Sequence, residues 1–266
     1  MKKMIGSVAL RSGSSGNCTL IRNGETRLIV DCGINGKTFA NALALAGESP
    51  LDIDGILITH EHSDHVSGLG VILRKYKIPF YITQKTLEHI LDSIGKFDYN
   101  LINIIQPEDK FLIKDQPVIS FRVPHDAAET VAYRFETLRG DITVCTDIGS
   151  VSQSILNQLV NSRLIILESN YDSLLLKNGP YPRILKDRIS NGHGHLSNDQ
   201  CGDALCHLVK TGTEQIVLAH LSKENNHPSI AELTAVQNLN IIGAVKDKDY
   251  VLQVAKRYSN SDWMQI

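Results

Sequence analysis

A dense cluster of metal-ligand residue types occupies one short segment of the sequence, THEHSDHVSG, which spans positions 59–68. It places His60, His62, Asp64 and His65 within six residues. Side chains two residues apart on an extended segment point the same way, so His60 and His62 can converge on one ion while Asp64 and His65 turn towards a second. Neutral imidazoles with a carboxylate suit zinc, manganese or iron. A solvated polar loop is the simpler alternative, but it does not explain three histidines and two acids directly after an apolar strand.

The same segment does not carry H-E-x-x-H, the helical zinc motif of metalloproteases. His60 and Glu61 supply its first half, but the position four residues after His60 is occupied by Asp64. The second histidine of that motif is therefore missing, and the helical metalloprotease interpretation is excluded.

The histidine cluster follows a short buried strand that is expected at Gly55–Thr59. Other residues with useful chemistry also stand where apolar, strand-like segments end. They are Asp31, His125, Asp147, Glu168 and His220. Strands that end at polar side chains on the same edge of a sheet could gather these residues into one site.

Alternating apolar residues and turn signals predict a strand-rich chain with intervening helices. The expected strands are Met4–Leu10, Cys18–Arg22, Arg27–Asp31, Gly55–Thr59, Pro79–Ile82, Val118–Val123, Val131–Phe135, Ile142–Thr146, Leu164–Leu167 and Gln215–Ala219, with one more near the C-terminus. The expected helices are Phe39–Leu45, Ser67–Tyr76, Lys85–Ile94, Ser152–Val160, Pro182–Ile189, Asn198–Leu208 and Ser229–Asn238. No linker or change in composition divides the chain, so the pattern predicts one mixed α/β domain over residues 1–266.

Composition and charge narrow the function classes. A formal net charge of −2 argues against a protein that coats nucleic acid, although a local basic patch beside a cleft remains compatible with it. The five cysteines are odd in number and include no C-x-x-C pair, which favours a reducing cytoplasm over a secreted disulfide framework. We expect neither a signal peptide nor a membrane span, and therefore a cytoplasmic protein without a membrane partner.

The order H-x-H-x-D-H after a strand resembles the signature of the metallo-β-lactamase superfamily. The resemblance implies a four-layer αββα sandwich and a site for two divalent metal ions, whether zinc, manganese or iron. The implied ligands are a first triad, a second triad and a bridging carboxylate: His60, His62 and His125; Asp64, His65 and His220; and Asp147. Asp31 is expected to orient a liganding histidine rather than to bind metal itself.

Three further segments resemble the YycJ/WalJ-type branch of this superfamily: SGSSGNCTLI, ESNYD with GPYPRILKDRIS, and GHGHLSN with LSKENN. The likeness extends from Ser12 to about Asn226. It implies a metal-dependent nuclease with 5′-to-3′ exonuclease action on DNA. The sequence departs from the pattern in two places, because Arg11 precedes the glycine-serine turn and Tyr171 stands where a histidine is frequent.

Two of these segments suit phosphodiester chemistry. The turn that contains Ser14, Ser15, Gly16 and Asn17 is built of small residues whose backbone N–H groups can approach a phosphate, although it could equally be a plain turn. His195 resembles the histidine with which tRNase Z-like nucleases contact the scissile phosphate and protonate the leaving oxygen. Glu168 resembles the acid that orients that histidine.

These expectations combine into one hypothesis, in which a hydroxide that bridges two metal ions attacks a phosphodiester. Asp64 would bind metal and steer the hydroxide, and His195 would help the 3′-oxygen to leave. One alternative is a small-molecule ester or thioester hydrolase of the glyoxalase II or lactonase kind on the same fold. A second alternative is a non-catalytic, metal-free binding protein, against which the complete ligand set speaks.

Overall fold

Two seven-stranded sheets organise the chain. The computed structural model describes residues 4–266. The first sheet contains β1 (Ile5–Arg11), β2 (Cys18–Asn23), β3 (Thr26–Val30), β4 (Gly55–Leu57), β5 (Phe80–Thr83) and β6 (Ile102–Ile105). The second contains β7 (Lys110–Ile113), β8 (Gln116–Arg122), β9 (Val131–Phe135), β10 (Asp141–Cys145), β11 (Ser162–Glu168), β12 (Gln215–Ala219) and β13 (Val251–Val254). The last strand, β14 (Met264–Gln265), returns to the edge of the first sheet beside β1.

Helices connect many of the strands. They are α1 (Gly36–Leu45), α2 (Ser63–Val66), α3 (Leu69–Tyr76), α4 (Gln84–Ile90), α5 (Gln153–Leu159), α6 (Ser173–Asn178), α7 (Arg183–Ser190), α8 (Asn198–Lys210) and α9 (Pro228–Ile241). Side chains fix where several of them begin. The Asn35 side chain accepts a hydrogen bond from the Thr38 backbone N–H, and Ser197 forms a reciprocal capping box with Gln200 at α8.

Parallel strands lie next to each other in both sheets, and this places their carboxyl ends at a common edge. In the first sheet β3 to β6 run parallel, and in the second β10 to β13 do. Strands β10, β11 and β12 are almost wholly buried apolar runs, as expected for strands covered on both faces. The carboxyl edges of the two sheets supply most residues of the site described below.

The core has three apolar layers. Residues from both sheets, including Ile21, Leu57 and Ile166, fill the space between the sheets. Phe39 and Ile72 pack helices against the outer face of the first sheet, and Leu205 with its neighbours does the same for the second. The expected four-layer αββα sandwich is confirmed. Among residues 4–266, no helix combines the length and apolar character needed to cross a bilayer.

Most of the expected elements are present, with boundaries shifted by a few residues. The helix expected at Ser67–Tyr76 is the main difference, because α2 already begins at Ser63 and a break precedes α3. A Cβ atom on Gly68 would lie 1.8 Å from the Ile34 carbonyl oxygen. The backbone between α2 and α3 therefore passes too close to Ile34 for any residue with a side chain. Four short elements, β6, β7, α6 and β14, were not predicted from the sequence.

Candidate metal centre

Three residues that follow strands, at the carboxyl edges of the two sheets, adopt the left-handed backbone conformation. Asp31, Asp147 and His220 follow β3, β10 and β12 and have φ angles of 62°, 55° and 54°. Such conformations cost non-glycine residues about 1–3 kcal/mol each and persist only where surrounding structure holds them. The His220 N–H, for example, donates to Oγ of Ser12 at 2.8 Å. Of the eight described non-glycine residues with positive φ, these three share one edge, and strained residues that lie together are typical of a functional site.

The first predicted triad is assembled at this edge. Possible ligand atoms of His60, His62 and His125 all lie within 4.8 Å of one another. Nδ1 of His125 contacts the Gly194 carbonyl oxygen at 2.8 Å, which directs Nε2 towards His62, whose Nδ1 lies 3.3 Å away. Nε2 of His125 therefore faces His62, and the three rings lie close enough together to share an ion.

The second predicted triad lies beside the first. Ligand atoms of Asp64, His65 and His220 also fall within 4.8 Å of one another. Oδ2 of Asp64 lies 3.3 Å from Nε2 of His220 and 3.5 Å from Nε2 of His65. The short helix α2 carries both Asp64 and His65, and the strand end after β12 supplies His220.

Asp147 contacts both triads. Its Oδ2 lies 3.1 Å from Nε2 of His65, and its Oδ1 lies 3.6 Å from Nε2 of His125 and 3.5 Å from Nδ1 of His220. The carboxylate is buried between the two groups of ligands. Asp147 therefore lies within contact distance of members of both predicted triads.

The donor set itself fits divalent cations. Nε2 of His60 is fully buried and has no hydrogen-bond partner among the described residues, and the equally buried Oδ2 of Asp147 has only the ion-pair contact with Nε2 of His65. Buried polar atoms that lack partners are costly in a folded protein, and possible ligand atoms of His60, His65 and Asp147 lie within 4.8 Å of one another. Imidazoles and carboxylates in this arrangement match the ligands of zinc, manganese and iron, so the residues present fit the metals that the sequence predicts.

Histidine protonation in this cluster is governed by burial and by the nearby carboxylates. Burial and the neighbouring His65 lower the pKa of His60 well below its ordinary value, which keeps that ring neutral. Burial acts the same way on His220, but Asp147, Asp64 and Glu168 outweigh it and raise the pKa of His220 to about 10. Cations that bind here would take the place of protons that the carboxylates hold on these rings.

Asp31 supports the second triad from behind. Its Oδ2 lies 2.7 Å from Nδ1 of His65, and its Oδ1 accepts a hydrogen bond from the Thr59 N–H at 2.9 Å. Nε2 of His65 is thereby left to face the other ligands. Asp31 thus lies where a residue that orients a ligand should lie, as the sequence predicts.

His195 and Glu168 form a pair at the rim of the cluster. Nδ1 of His195 lies 2.9 Å from Oε1 of Glu168, and the His195 side chain keeps 23% of its surface exposed. The Glu168 side chain is wholly buried, and its Oε2 accepts hydrogen bonds from the N–H groups of Ile148 and Leu196. Because Nδ1 is engaged, Nε2 of His195 is the nitrogen that can meet a substrate.

Glu168 also contacts a residue that the sequence analysis did not pair with it. The same Oε1 atom lies 2.8 Å from Nδ1 of His220. One carboxylate therefore orients both His195 and a member of the second triad. No sequence signal could have revealed this sharing, because it depends on the two strand ends meeting at one edge.

The glycine-serine turn offers fewer unpaired backbone N–H groups for a phosphate than the sequence suggests. The Gly16 N–H donates to the Gly13 carbonyl and the Asn17 N–H to the Asp64 carbonyl, so both are already engaged. The Asn17 amide Nδ2 instead reaches Oδ2 of Asp64 at 3.2 Å. Ser14 and Ser15 are the exposed members of the turn.

A cavity of about 230 Å³ opens over the cluster. Polar groups of His62, His195, His220 and Ser14 line it, together with a second wall from α7 and the residues before it. That wall contributes Tyr181, Leu185 and Arg188. The guanidinium of Arg188 is paired with Asp126, which also lines the cavity. The ligand cluster is therefore reachable from solvent through a polar opening with one apolar side.

Comparisons with known proteins agree with this architecture. A model of the metallo-beta-lactamase superfamily matches residues 11–220. Over 232 residues, which cover 86% of each protein, the chain is 38% identical to exodeoxyribonuclease WalJ of Streptococcus pneumoniae serotype 2. It is 36% identical over 230 residues to exodeoxyribonuclease YycJ of Bacillus anthracis, covering 86% of this chain and 87% of that protein.

Solved structures show the same fold at low sequence identity. The metallo-beta-lactamase fold protein YhfI from Bacillus subtilis superposes with a TM-score of 0.73 at 16% identity, covering 98% of this chain and 99% of YhfI. The short form of human tRNase Z superposes with a TM-score of 0.65 at 15% identity, covering 96% and 98% of the two chains. At these identities the likeness establishes the fold and leaves the reaction to the site.

Proposed function

This chain belongs to the metallo-β-lactamase superfamily and is a metal-dependent hydrolase, and we propose that it is a nuclease that shortens DNA from its 5′ end. One observation carries the proposal: two ligand triads share Asp147, and His195 stands beside them with Nε2 free. The two curated relatives named as exodeoxyribonucleases support DNA as the substrate, because the likeness extends over most of each chain.

We assign His60, His62 and His125 to a first ion and Asp64, His65 and His220 to a second, with Asp147 between them. When bound, a pair of divalent cations supplies Lewis acidity and an activated water as nucleophile. Both sheets contribute ligands, which also supports our proposal that residues 1–266 act as one domain.

The protein's own groups then have separate tasks. Asp64 keeps 19% of its side chain exposed, so its carboxylate can face the attacking water as well as a metal ion. His195 would donate the proton from Nε2 to the departing 3′-oxygen, and Glu168 would hold the ring through Nδ1. Because Glu168 is wholly buried, its charge stabilises a protonated His195 with little screening by solvent.

The cavity gives the reacting phosphate a defined approach. A backbone phosphate at the triads would lie beside His195 and Ser14, and the sugar and base would face Tyr181 and Leu185. A small ester would leave this apolar wall without a partner. The lining is therefore better suited to a nucleotide than to the small esters of related hydrolases.

Digestion of end-labelled nucleic acids tests the proposal. Purified protein is incubated with single- and double-stranded DNA and RNA, labelled at either the 5′ or the 3′ end, with Mn²⁺ or Zn²⁺ supplied. We expect immediate release of a 5′ label as a short product, and stepwise shortening of 3′-labelled DNA. Cleavage of thioesters or lactones in a parallel panel, with every polymer intact, would contradict the nuclease and support the small-ester hydrolase.

A further inference from the structure

A second groove, of about 470 Å³, lies directly beside the catalytic cavity. We call it the Arg11–Arg257 groove, and its lining includes Arg11, Ser15, Asn35, Thr38, Arg257 and Tyr258. Ser14 lines the catalytic cavity and the next residue, Ser15, lines the groove. Because consecutive Cα atoms are about 3.8 Å apart, the groove and the cavity over the metal-ligand cluster lie next to each other, on either side of the glycine-serine turn.

The groove is positively charged and lacks a balancing acid. Arg11 and Arg257 are both half-buried, and neither guanidinium is within 4.0 Å of a carboxylate anywhere in residues 4–266. Their hydrogen bonds go to neutral groups instead. Arg11 donates to Asn260 and the Leu10 carbonyl, and Arg257 donates to Ser15 and the Leu221 carbonyl. No Asp or Glu of the described chain lines the groove. Two partly desolvated cations without counter-ions form a binding site for an anion.

Two neighbouring features suit a nucleic-acid strand. Helix α1 begins at the groove, and it carries no acidic residue in its first turn, so the positive end of its dipole is not offset. Tyr258 is 69% exposed at the same wall. An exposed aromatic ring next to phosphate-binding arginines is the arrangement on which bases of single strands stack.

We propose that the Arg11–Arg257 groove holds a backbone phosphate of the DNA strand whose scissile phosphate lies at the metal centre, with Tyr258 stacking on a base. The inference rests on the proposed nuclease function and extends it to the strand beyond the cleaved bond. Arg11, which departs from the pattern of related sequences, thereby acquires a role. A dinucleotide has a single phosphate, and that phosphate must lie at the metal centre to be cleaved. Only a longer strand can place a second phosphate in the groove, so longer strands should be better substrates.

Binding and kinetics of Arg257→Ala and Arg11→Ala test the proposal. Binding of fluorescent dT12 is measured by anisotropy in EDTA, and kcat and KM are measured with Mn²⁺ for dT12 and for dTpdT. We expect each variant to bind dT12 roughly tenfold more weakly and to raise KM for dT12 by a similar factor, as loss of one charge-assisted contact predicts. KM for dTpdT should change much less. Lys210→Ala, at the far end of α8, is the matched loss of an exposed cation and should bind dT12 like the wild type.

Tyr258→Ala tests the stacking role without touching a buried contact. We expect it to weaken binding of dT12 roughly fivefold while binding of an abasic strand of equal length is retained, because only a base can stack on the ring. Wild-type affinity for dT12 in both arginine variants would overturn the groove assignment even if the protein digests DNA. Equal losses on dTpdT and dT12 would overturn it too, since they would place the arginines in the reaction itself. If the wild type cleaves neither substrate, the proposed nuclease function is contradicted. The groove assignment is still tested in that case, because binding of dT12 is measured by anisotropy without cleavage.

Discussion

The Asp31 carboxylate lies 2.7 Å from Nδ1 of His65, on the side of the ring away from the other ligands. Asp31 accepts the proton of Nδ1 in a hydrogen bond, which leaves Nε2 as the nitrogen that faces the site and would bind a metal ion. Asp31 adopts a left-handed backbone conformation with φ of 62° to make this contact. The contact from Asp31 therefore fixes the orientation of the His65 ring, with Nε2 directed towards the other residues of the cluster.

Asp31→Asn should lower metal affinity about 10- to 100-fold, the usual effect of removing a group that orients a ligand. Asparagine tolerates the left-handed backbone, and its Oδ1 can still accept from the Thr59 N–H, but the NH2 group that replaces Oδ2 cannot accept a hydrogen bond from Nδ1 of His65. Competition with a chromogenic chelator measures the affinity. An unchanged affinity would show that Asp31 merely ends its strand.

Asp64→Ala should reduce turnover of DNA by about 10³-fold or more, because the variant loses a group that faces the reacting atoms. Its partial exposure means that little packing is lost, so the melting temperature in the absence of metal should change only slightly. The exposed Asp92 provides the matched control, and Asp92→Ala should be fully active. Full activity of Asp64→Ala would refute the role assigned to this carboxylate.

His195→Ala should lower kcat on DNA by about 10²- to 10⁴-fold, as expected for the loss of a general acid. The defect should shrink below about tenfold on the p-nitrophenyl ester of thymidine 5′-phosphate, because p-nitrophenolate leaves without a proton. His193→Ala removes an exposed histidine from the same loop and should be silent on both substrates. Equal losses on both substrates would argue that His195 acts on binding rather than on the leaving group.

Removal of metal should destabilise the protein. Cations at 100 times their dissociation constant add about 2.7 kcal/mol per site, and in a chain of this size each kcal/mol raises Tm by roughly 2–4 °C. We therefore expect EDTA, which empties both assigned sites, to lower Tm by about 10–20 °C, and addition of Mn²⁺ or Zn²⁺ to restore it. Calorimetry of Asp147→Ala serves as the control, since a variant without the shared carboxylate should respond weakly. A wild-type Tm that ignores both EDTA and metal would contradict the assigned centre.

Gly33→Ala should displace Asp64 and its helix α2, although residue 33 is not itself an assigned metal ligand. A Cβ atom at position 33 would lie 1.6 Å from the carbonyl oxygen of Asp64, so the α2 backbone must move. We expect a loss of about 3 kcal/mol or more in the free energy of unfolding, measured by denaturant titration, together with weaker metal binding. At Gly36 the nearest atom to such a Cβ belongs to the Val71 side chain, 3.1 Å away, so Gly36→Ala should be nearly neutral. Equal free energies of unfolding for the two variants would mean that the backbone of α2 can move away from residue 33 at little energetic cost.

Sequence reasoning found those parts of the site in which neighbours along the chain are also neighbours in space. His60, His62, Asp64 and His65 could be recognised from local spacing alone. His125, Asp147 and His220 could be chosen only through family resemblance, because one polar residue at a strand end does not reveal which other strand ends share its edge. The structure places them together because parallel strands align their carboxyl ends.

The parts that escaped prediction depend on contacts between distant segments. Arg11 and Arg257 come from opposite ends of the sequence, and neither has a local pattern that distinguishes it from an ordinary surface arginine. The sharing of Glu168 by His195 and His220 is likewise visible only in three dimensions. Short edge strands such as β7 were missed because half of their residues are exposed and their apolar pattern is brief.

The residues that we assign as ligands come from both sheets, so bound ions would connect one half of the chain to the other. A protease that attacks transiently opened molecules would then meet fewer of them when divalent metal is plentiful. We expect the lifetime of this protein in a growing cell to follow the supply of its metal, so that starvation for the ion removes the protein as well as its activity.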